Sequence, residues 1–110
     1  RDRGLLELER AVHKLTDVPA RLYGLKDRGR IEEGWWADLV VFDAQKVAPD
    51  EIEVREDLPG GGWRLYSEAI GVHHVFINGE QAVEDGAFTK ARPGTLLRSG
   101  RDTEKITANG

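Results

Sequence analysis

Three histidines, His13, His73 and His74, are the side chains with the widest chemical reach, because imidazole serves both as metal ligand and as acid or base near neutral pH. Their spacing works against a shared site. His73 and His74 are adjacent in a segment with strand character, so their side chains point to opposite faces and do not chelate one ion. His13 falls in a helical pattern, with Glu9 one turn earlier as its expected surface partner. No His-x-His, no His-x-x-x-His and no neighbouring set of carboxylate and histidine has zinc-ligand spacing. One surface histidine and two strand histidines are expected, not a metal centre.

Other chemical groupings reduce in the same way. Pro59-Gly60-Gly61-Gly62 is followed by Trp63, Arg64 and Leu65, whereas a phosphate cradle needs a Lys and a Ser or Thr after its glycines. A flexible loop is the expectation there, and beside an active site such a loop can act as a lid. Ser67 and Ser99 lack a nucleophile-elbow context and an evident histidine partner. Glu32 and Glu33, next to Gly34, read as a solvated turn rather than an acid/base pair. Trp35 and Trp36 offer stacking surfaces, but a strand follows them directly and packing is the expected use. With no cysteine there is no disulfide, thiolate site or cysteine nucleophile. The residues themselves therefore predict no catalytic, cofactor-binding or metal-ligating set within this chain.

Composition narrows the partners. With 33% charged and 39% hydrophobic residues, signs interspersed, the 110-residue chain is globular in character. A chain of this length buries roughly two-thirds of its unfolded surface, enough for a core. The net charge of −4 and the absence of a Lys/Arg block argue against nucleic acid. Lys26, Arg28 and Arg30 are interrupted by Asp27 and followed by Glu32 and Glu33, which predicts a solvated surface. The longest apolar run, Leu39-Val40-Val41-Phe42, is far too short to cross a bilayer, so no membrane partner is expected. Lack of cysteine fits a cytoplasmic setting. The opening Arg1-Asp2-Arg3, without Met or an apolar signal segment, reads as the start of a fragment.

The elements that hold these residues follow from periodicity. Leu5, Leu8, Val12 and Leu15 recur with helical spacing, widened by Leu6 and Ala11, while Glu7, Glu9, Arg10 and Lys14 take the other face. An amphipathic helix over residues 4–15 is predicted. Thr16 or Asp17 then caps a second short helix with Pro19 in its first turn, and Gly24 ends it. Turn residues at 27–29 and 33–34 flank a strand candidate at 30–32. Residues 39–42, apolar and fenced by Asp38 and Asp43, predict a strand buried on both faces. Residues 44–69 are broken by Pro49-Asp50 and the glycine run, leaving loops and a short extended stretch at 51–55. Residues 72–78 and 80–84 flank Asn78-Gly79, the strongest short-range pattern for a type I′ hairpin, and Asp85-Gly86 turns the chain again. The charged end from Arg98 is expected to fray.

Several of these stretches, taken in order, resemble the amidohydrolase superfamily. Leu15-Thr16-Asp17-Val18-Pro19-Ala20-Arg21 with Tyr23-Gly24-Leu25 looks like the helical segment that ends its barrel. Gly34-Trp35-Trp36-Ala37-Asp38-Leu39-Val40 is similar to the Gly-x-x-Ala-Asp-Leu-Val pattern with which the chain returns to a small β-sandwich. Val75-Phe76-Ile77-Asn78-Gly79 and Val83-Glu84-Asp85-Gly86 match the strands that follow. The ending Thr89-Lys90-Ala91-Arg92-Pro93-Gly94 looks like the tail of the N-acyl-D-amino-acid deacylases, or D-aminoacylases, with Lys90 where glycine is usual. Dihydroorotase-like, allantoinase-like and dihydropyrimidinase-like enzymes share the earlier motifs.

The resemblance implies an α+β fragment: terminal barrel helices (1–25), then strands of the small β-sandwich domain (26–98) that flanks a (β/α)₈ metal-dependent hydrolase barrel, then a flexible tail (99–110). It implies a parent enzyme that cleaves the amide bond of N-acyl-D-amino acids with one or two zinc ions at the barrel mouth. The family's metal histidines and its proton-shuttling Asp lie upstream, so the segment alone is expected to bind no zinc and to be inactive. Its expected partners are the rest of the parent, barrel and N-terminal strands, and in isolation a second copy of itself. A stand-alone β-rich interaction module is the competing expectation.

Overall fold

The structure is a computed structural model that describes residues 2–107. It opens with α1 (Leu8–Leu15), which starts four residues later than the apolar stripe predicts. Gly4 takes φ +60 and Glu7 is extended (φ −67, ψ 154), and no side chain caps the first turn. A first turn has unsatisfied N–H groups; without a cap, and with Leu5 fully on the surface, nothing holds it in the helix. Thr16 separates α1 from α2 (Asp17–Leu22), as the capping pattern predicts, but its hydroxyl donates back to the Val12 carbonyl at 2.8 Å. Its own carbonyl accepts from Ala20 N at 3.1 Å and so begins the second helix. Gly24 ends α2 with φ +66.

Residues 30–32 form no strand. Turns on either side fold the segment back, with Trp36 N donating to Asp27 O at 3.0 Å, and no neighbouring strand lies alongside. β1 (Leu39–Phe42) then pairs antiparallel with β6 (Val72–Ile77), Leu39 opposite Phe76 and Val41 opposite His74, before a bulge at Phe42. β6 continues through a hairpin into β7 (Glu80–Glu84) and β8 (Ala87–Phe88), giving a four-stranded sheet in the order β1-β6-β7-β8. Asn78 (φ 52) and Gly79 (φ 80) supply the two left-handed residues that a type I′ turn needs. β1 is an edge strand, and Val40 and Val41, whose side chains alternate between its two faces, are 55% and 48% exposed. The expected double burial is absent because no layer among the described residues covers either face.

The stretch 44–69, expected as loops with a short extended stretch at 51–55, forms a two-stranded ribbon, and residues 53–55 of that stretch lie in one of its strands. β2 (Ala48–Pro49) pairs with β5 (Ala69–Ile70), and β3 (Glu53–Leu58) with β4 (Gly62–Tyr66). Asp50 N donates to Glu68 O at 2.8 Å between the two ladders. The glycine run is therefore the tight end of a hairpin, a short 3₁₀ turn at Pro59–Gly61. The chain finally returns to its start: Lys26 N donates to Asp102 O (3.0 Å), Glu104 N donates to Gly24 O (2.7 Å), and Leu25 bridges Thr103. Residues 108–110 of the expected tail lie outside the described residues. Among the described residues Ala20 is the one buried hydrophobic side chain, so these elements share surfaces but enclose little core.

Candidate functional site

The best-connected polar group sits where the two helices meet. Asp17 is 7% exposed, and its carboxylate receives His13 Nε2 at 3.2 Å and Arg21 Nε at 2.9 Å, with Arg30 Nε at 3.8 Å. His13 thus faces Asp17, one turn after it, and not Glu9. Helical spacing allows both partners, and the structure places the imidazole on the buried acid that Arg21 and Arg30 also face. Desolvation pushes the Asp17 carboxyl up, but the hydrogen bonds from Arg21 and His13 and the charges of Arg21 and Arg30 outweigh it and hold the carboxyl below its ordinary value of 3.8. This cluster ties α1, α2 and the following loop together. With two guanidinium groups and an imidazole around the carboxylate, it does the work of a structural anchor.

The remaining histidines stay apart, as period two requires. His73 is exposed; His74 is half-buried, with Nδ1 3.0 Å from Gln81 Nε2 and Nε2 3.7 Å from Asp85 Oδ1. Among the described residues no three His, Asp or Glu side chains converge to hold a metal ion. Among the described residues the donors present do not fit the zinc that the resemblance implies for the parent. Ser67 Oγ donates to Asp50 O at 2.7 Å, a bond that ties the two strands of the ribbon.

In the basic cluster Lys26 and Arg30 are exposed, as expected, and Arg28 departs from the expectation. The Arg28 side chain is 11% exposed, pairs with Asp38 and lies 5.1 Å from the ring centroid of Trp36. Arg30 covers Trp35 at 5.8 Å and pairs with Glu32 at 3.1 Å. Each tryptophan thus carries a guanidinium group against its ring; Trp35 is half-buried and Trp36 is 53% exposed. A cleft of about 200 Å³ lies beside them, lined by Lys26, Arg28, Trp36, Thr95, Leu97 and Arg101. Lys26 Nζ donates to Arg101 O (3.2 Å) and Arg101 pairs with Asp102 (2.7 Å), so its cationic heads are already matched and it is no ready anion site. The Arg28–Asp38 pair spans ten residues and a turn, a distance at which sequence periodicity is silent.

The Thr89–Gly94 string has a visible structural use. Thr89 Oγ1 donates to Gln81 O at 2.8 Å, and Asn78 Nδ2 donates to Pro93 O at 2.8 Å. Asn78 N in turn donates to Asp38 Oδ1 at 2.8 Å, so the string, the hairpin turn and the approach to β1 form one connected unit. These are the same stretches on which the resemblance rests.

Comparison with known proteins agrees. Residues 1–83 match the amidohydrolase family, and the chain belongs to that family. It is 44% identical over 98 residues to an N-acyl-D-glutamate deacylase of Alcaligenes xylosoxydans xylosoxydans, an alignment covering 89% of this chain and 18% of that protein. A D-aminoacylase of the same organism is 38% identical over 97 residues, covering 88% of this chain and 18% of the relative. A dihydroorotase of Archaeoglobus fulgidus is 33% identical over 85 residues, covering 76% and 21%. The chain thus spans about a fifth of the length of the curated relatives it matches. No solved structure gives a significant match.

Proposed function

We infer that this chain is the C-terminal, non-catalytic portion of a metal-dependent amidohydrolase that cleaves the amide bond of N-acyl-D-amino acids. The observation that carries the reading is its likeness to deacylases of D-amino acids, 44% and 38% identical over nearly nine-tenths of the chain. In this reading residues 1–25 are the last helices on a (β/α)₈ barrel, and residues 26–98 supply strands of a small β-sandwich completed by upstream chain. Residues 99–110 follow as a tail whose start clasps the helix exit. The metal, zinc by resemblance, and the groups that activate water on it belong to the upstream barrel. What this chain contributes is cover and support: the stripe Leu5, Leu8, Val12 and Leu15 and both faces of β1 are apolar and open, which suits surfaces that close against a barrel and a second sheet.

The 33% identity to a dihydroorotase supports a second reading, in which the parent opens a cyclic amide. The two separate in one assay. The natural polypeptide that contains this chain, supplied with zinc, is given N-acetyl-D-glutamate, N-acetyl-D-leucine and dihydroorotate. Turnover of the acylated D-amino acids supports the first reading, turnover of dihydroorotate the second, and turnover of neither sinks both. The 110-residue chain by itself is expected to turn over none of them and to bind no zinc at stoichiometry.

A further inference from the structure

Asn78-Gly79 makes the hairpin turn, and the same pair carries a reaction of its own. The backbone nitrogen that follows an asparagine can attack the side-chain amide, and glycine, with no Cβ, leaves that nitrogen unshielded. A Cβ at Gly79 would meet nothing within 4 Å, so this side of the turn is open. In the attack Gly79 N gives its proton to a base in solvent and bonds to Cγ of Asn78. The Cγ–Nδ2 bond breaks, and Nδ2 leaves as ammonia. Water then opens the cyclic imide, at Cγ to give aspartate or at the main-chain carbonyl to give isoaspartate.

The fold opposes this reaction at each atom it needs. Gly79 N donates to Ala37 O at 2.9 Å, so the proton of the attacking nitrogen is engaged. Asn78 Nδ2, the leaving group, donates to Pro93 O at 2.8 Å, which holds the side chain on the Thr89–Gly94 string. Asn78 Oδ1, where negative charge develops in the attack, is buried and meets no donor among the described residues. The product fits the same place badly. A carboxylate has no N–H for Pro93 O, its second oxygen takes the buried position without a donor, and Asp38, which accepts from Asn78 N at 2.8 Å, adds like charge.

We propose that Asn78 is a deamidation site gated by the Thr89–Gly94 string: the amide survives while the string is docked, and its loss undocks the string for good. Conversion needs the bonds to Ala37 and Pro93 open together. At ordinary net strength the two hold that open state to about one part in 30. The string is pinned at its other end by Thr89, whose N donates to Ala82 O at 3.0 Å and whose Oγ1 donates to Gln81 O at 2.8 Å. Loosening that end is expected to raise the rate at Asn78, and deamidation is expected to loosen that end in return.

The natural polypeptide that contains this chain is aged in mildly alkaline buffer, folded and in urea, beside a capped peptide of residues 75–83. Digestion and mass spectrometry then count amide, aspartate and isoaspartate at residue 78. The folded protein is expected to convert about 30-fold more slowly than the peptide, and the protein in urea at the peptide's rate. Equal rates for folded protein and peptide, or no conversion in the peptide, overturn the proposal. Thr89→Val is expected to convert faster than wild type while it stays folded by circular dichroism. An unchanged rate in that variant removes the gating. Where that variant does not fold, Asn78→Asp decides by hydrogen exchange. Its Thr89 and Ala91 amides are expected to exchange faster than those of the unaged wild type, and unchanged exchange overturns the release of the string.

Discussion

Asp17 shows how one carboxylate can hold a junction that has almost no core. Two guanidinium groups and an imidazole surround it, and beside it Ala20 is the one buried hydrophobic residue among those described. Its folded-state pKa lies below the ordinary value of 3.8, through Arg21 and His13 against the opposing desolvation. A depressed carboxyl contributes stability that is complete above its unfolded value and fades as pH falls through the folded one. Asp17→Asn is therefore expected to lower the melting temperature of the protein at pH 7, with the gap to wild type narrowing below about pH 4. Melting curves of both proteins between pH 3 and pH 7 check this; a gap that widens in acid contradicts it. Gly29 guards the same place. It has φ +91, and a Cβ there would lie 2.4 Å from the Ala20 Cβ, whereas Gly79 (φ +80) faces open space. Alanine at either position meets the left-handed penalty of about 1 kcal/mol. At Gly29 the clash adds overpacking of about 1–3 kcal/mol. Urea midpoints should thus fall further for Gly29→Ala than for Gly79→Ala, and equal losses would mean that the α2 junction yields freely.

At the scale of elements, what could be read from sequence was what is local. The Asn78-Gly79 hairpin needs two residues and their flanks, and the helical stripe of residues 5–15 needs one face, so both follow from short-range pattern. The ribbon at 48–70 does not. Its ladder joins Ala48 to Ile70 across the whole segment, and its alternation breaks at Glu56-Asp57, where the register between Arg55 and Leu58 shifts. Residues 30–32 mislead in the opposite direction: turn residues on both sides suggest a strand, yet no partner edge lies near them. For the candidate site, period two separates His73 from His74 in sequence and in structure alike. The anchoring of His13 by Asp17 and of Arg28 by Asp38 depends on where the chain turns, which spacing does not encode. The contact between residues 102–104 and 24–26 is likewise non-local. It consists mainly of two backbone bonds, Lys26 N to Asp102 O and Glu104 N to Gly24 O. Deleting residues 99–110 is expected to destabilise the protein by about 2 kcal/mol, at about 1 kcal/mol for each lost bond. The amide of Lys26 should then exchange faster in hydrogen-exchange measurements; an unchanged rate would show that the clasp carries no load.

The whole molecule is short of cover. A folded protein of 12.3 kDa is expected to expose roughly 6,100 Å² by the usual scaling of surface with mass, and this one exposes 9225 Å². Its radius of gyration is 16.6 Å, against about 13 Å for a close-packed domain of this length. Within that surface large apolar side chains stand open: the stripe of α1, Leu22 on α2, Val40 and Val41 on β1, and Trp63 on the ribbon. Charge does not offset this, because most of the ion pairs lie at the surface, where each contributes at most about 1 kcal/mol. The isolated chain is therefore expected to bury that area against copies of itself. Analytical ultracentrifugation should show a mass that rises with concentration, calorimetry a melting temperature that rises with it, and a hydrophobic dye strong binding. A monomer at all concentrations with a single cooperative melt would mean that helices and sheet close on each other in solution. The open faces of α1 and β1 would then belong to a self-sufficient module rather than to one part of a larger hydrolase.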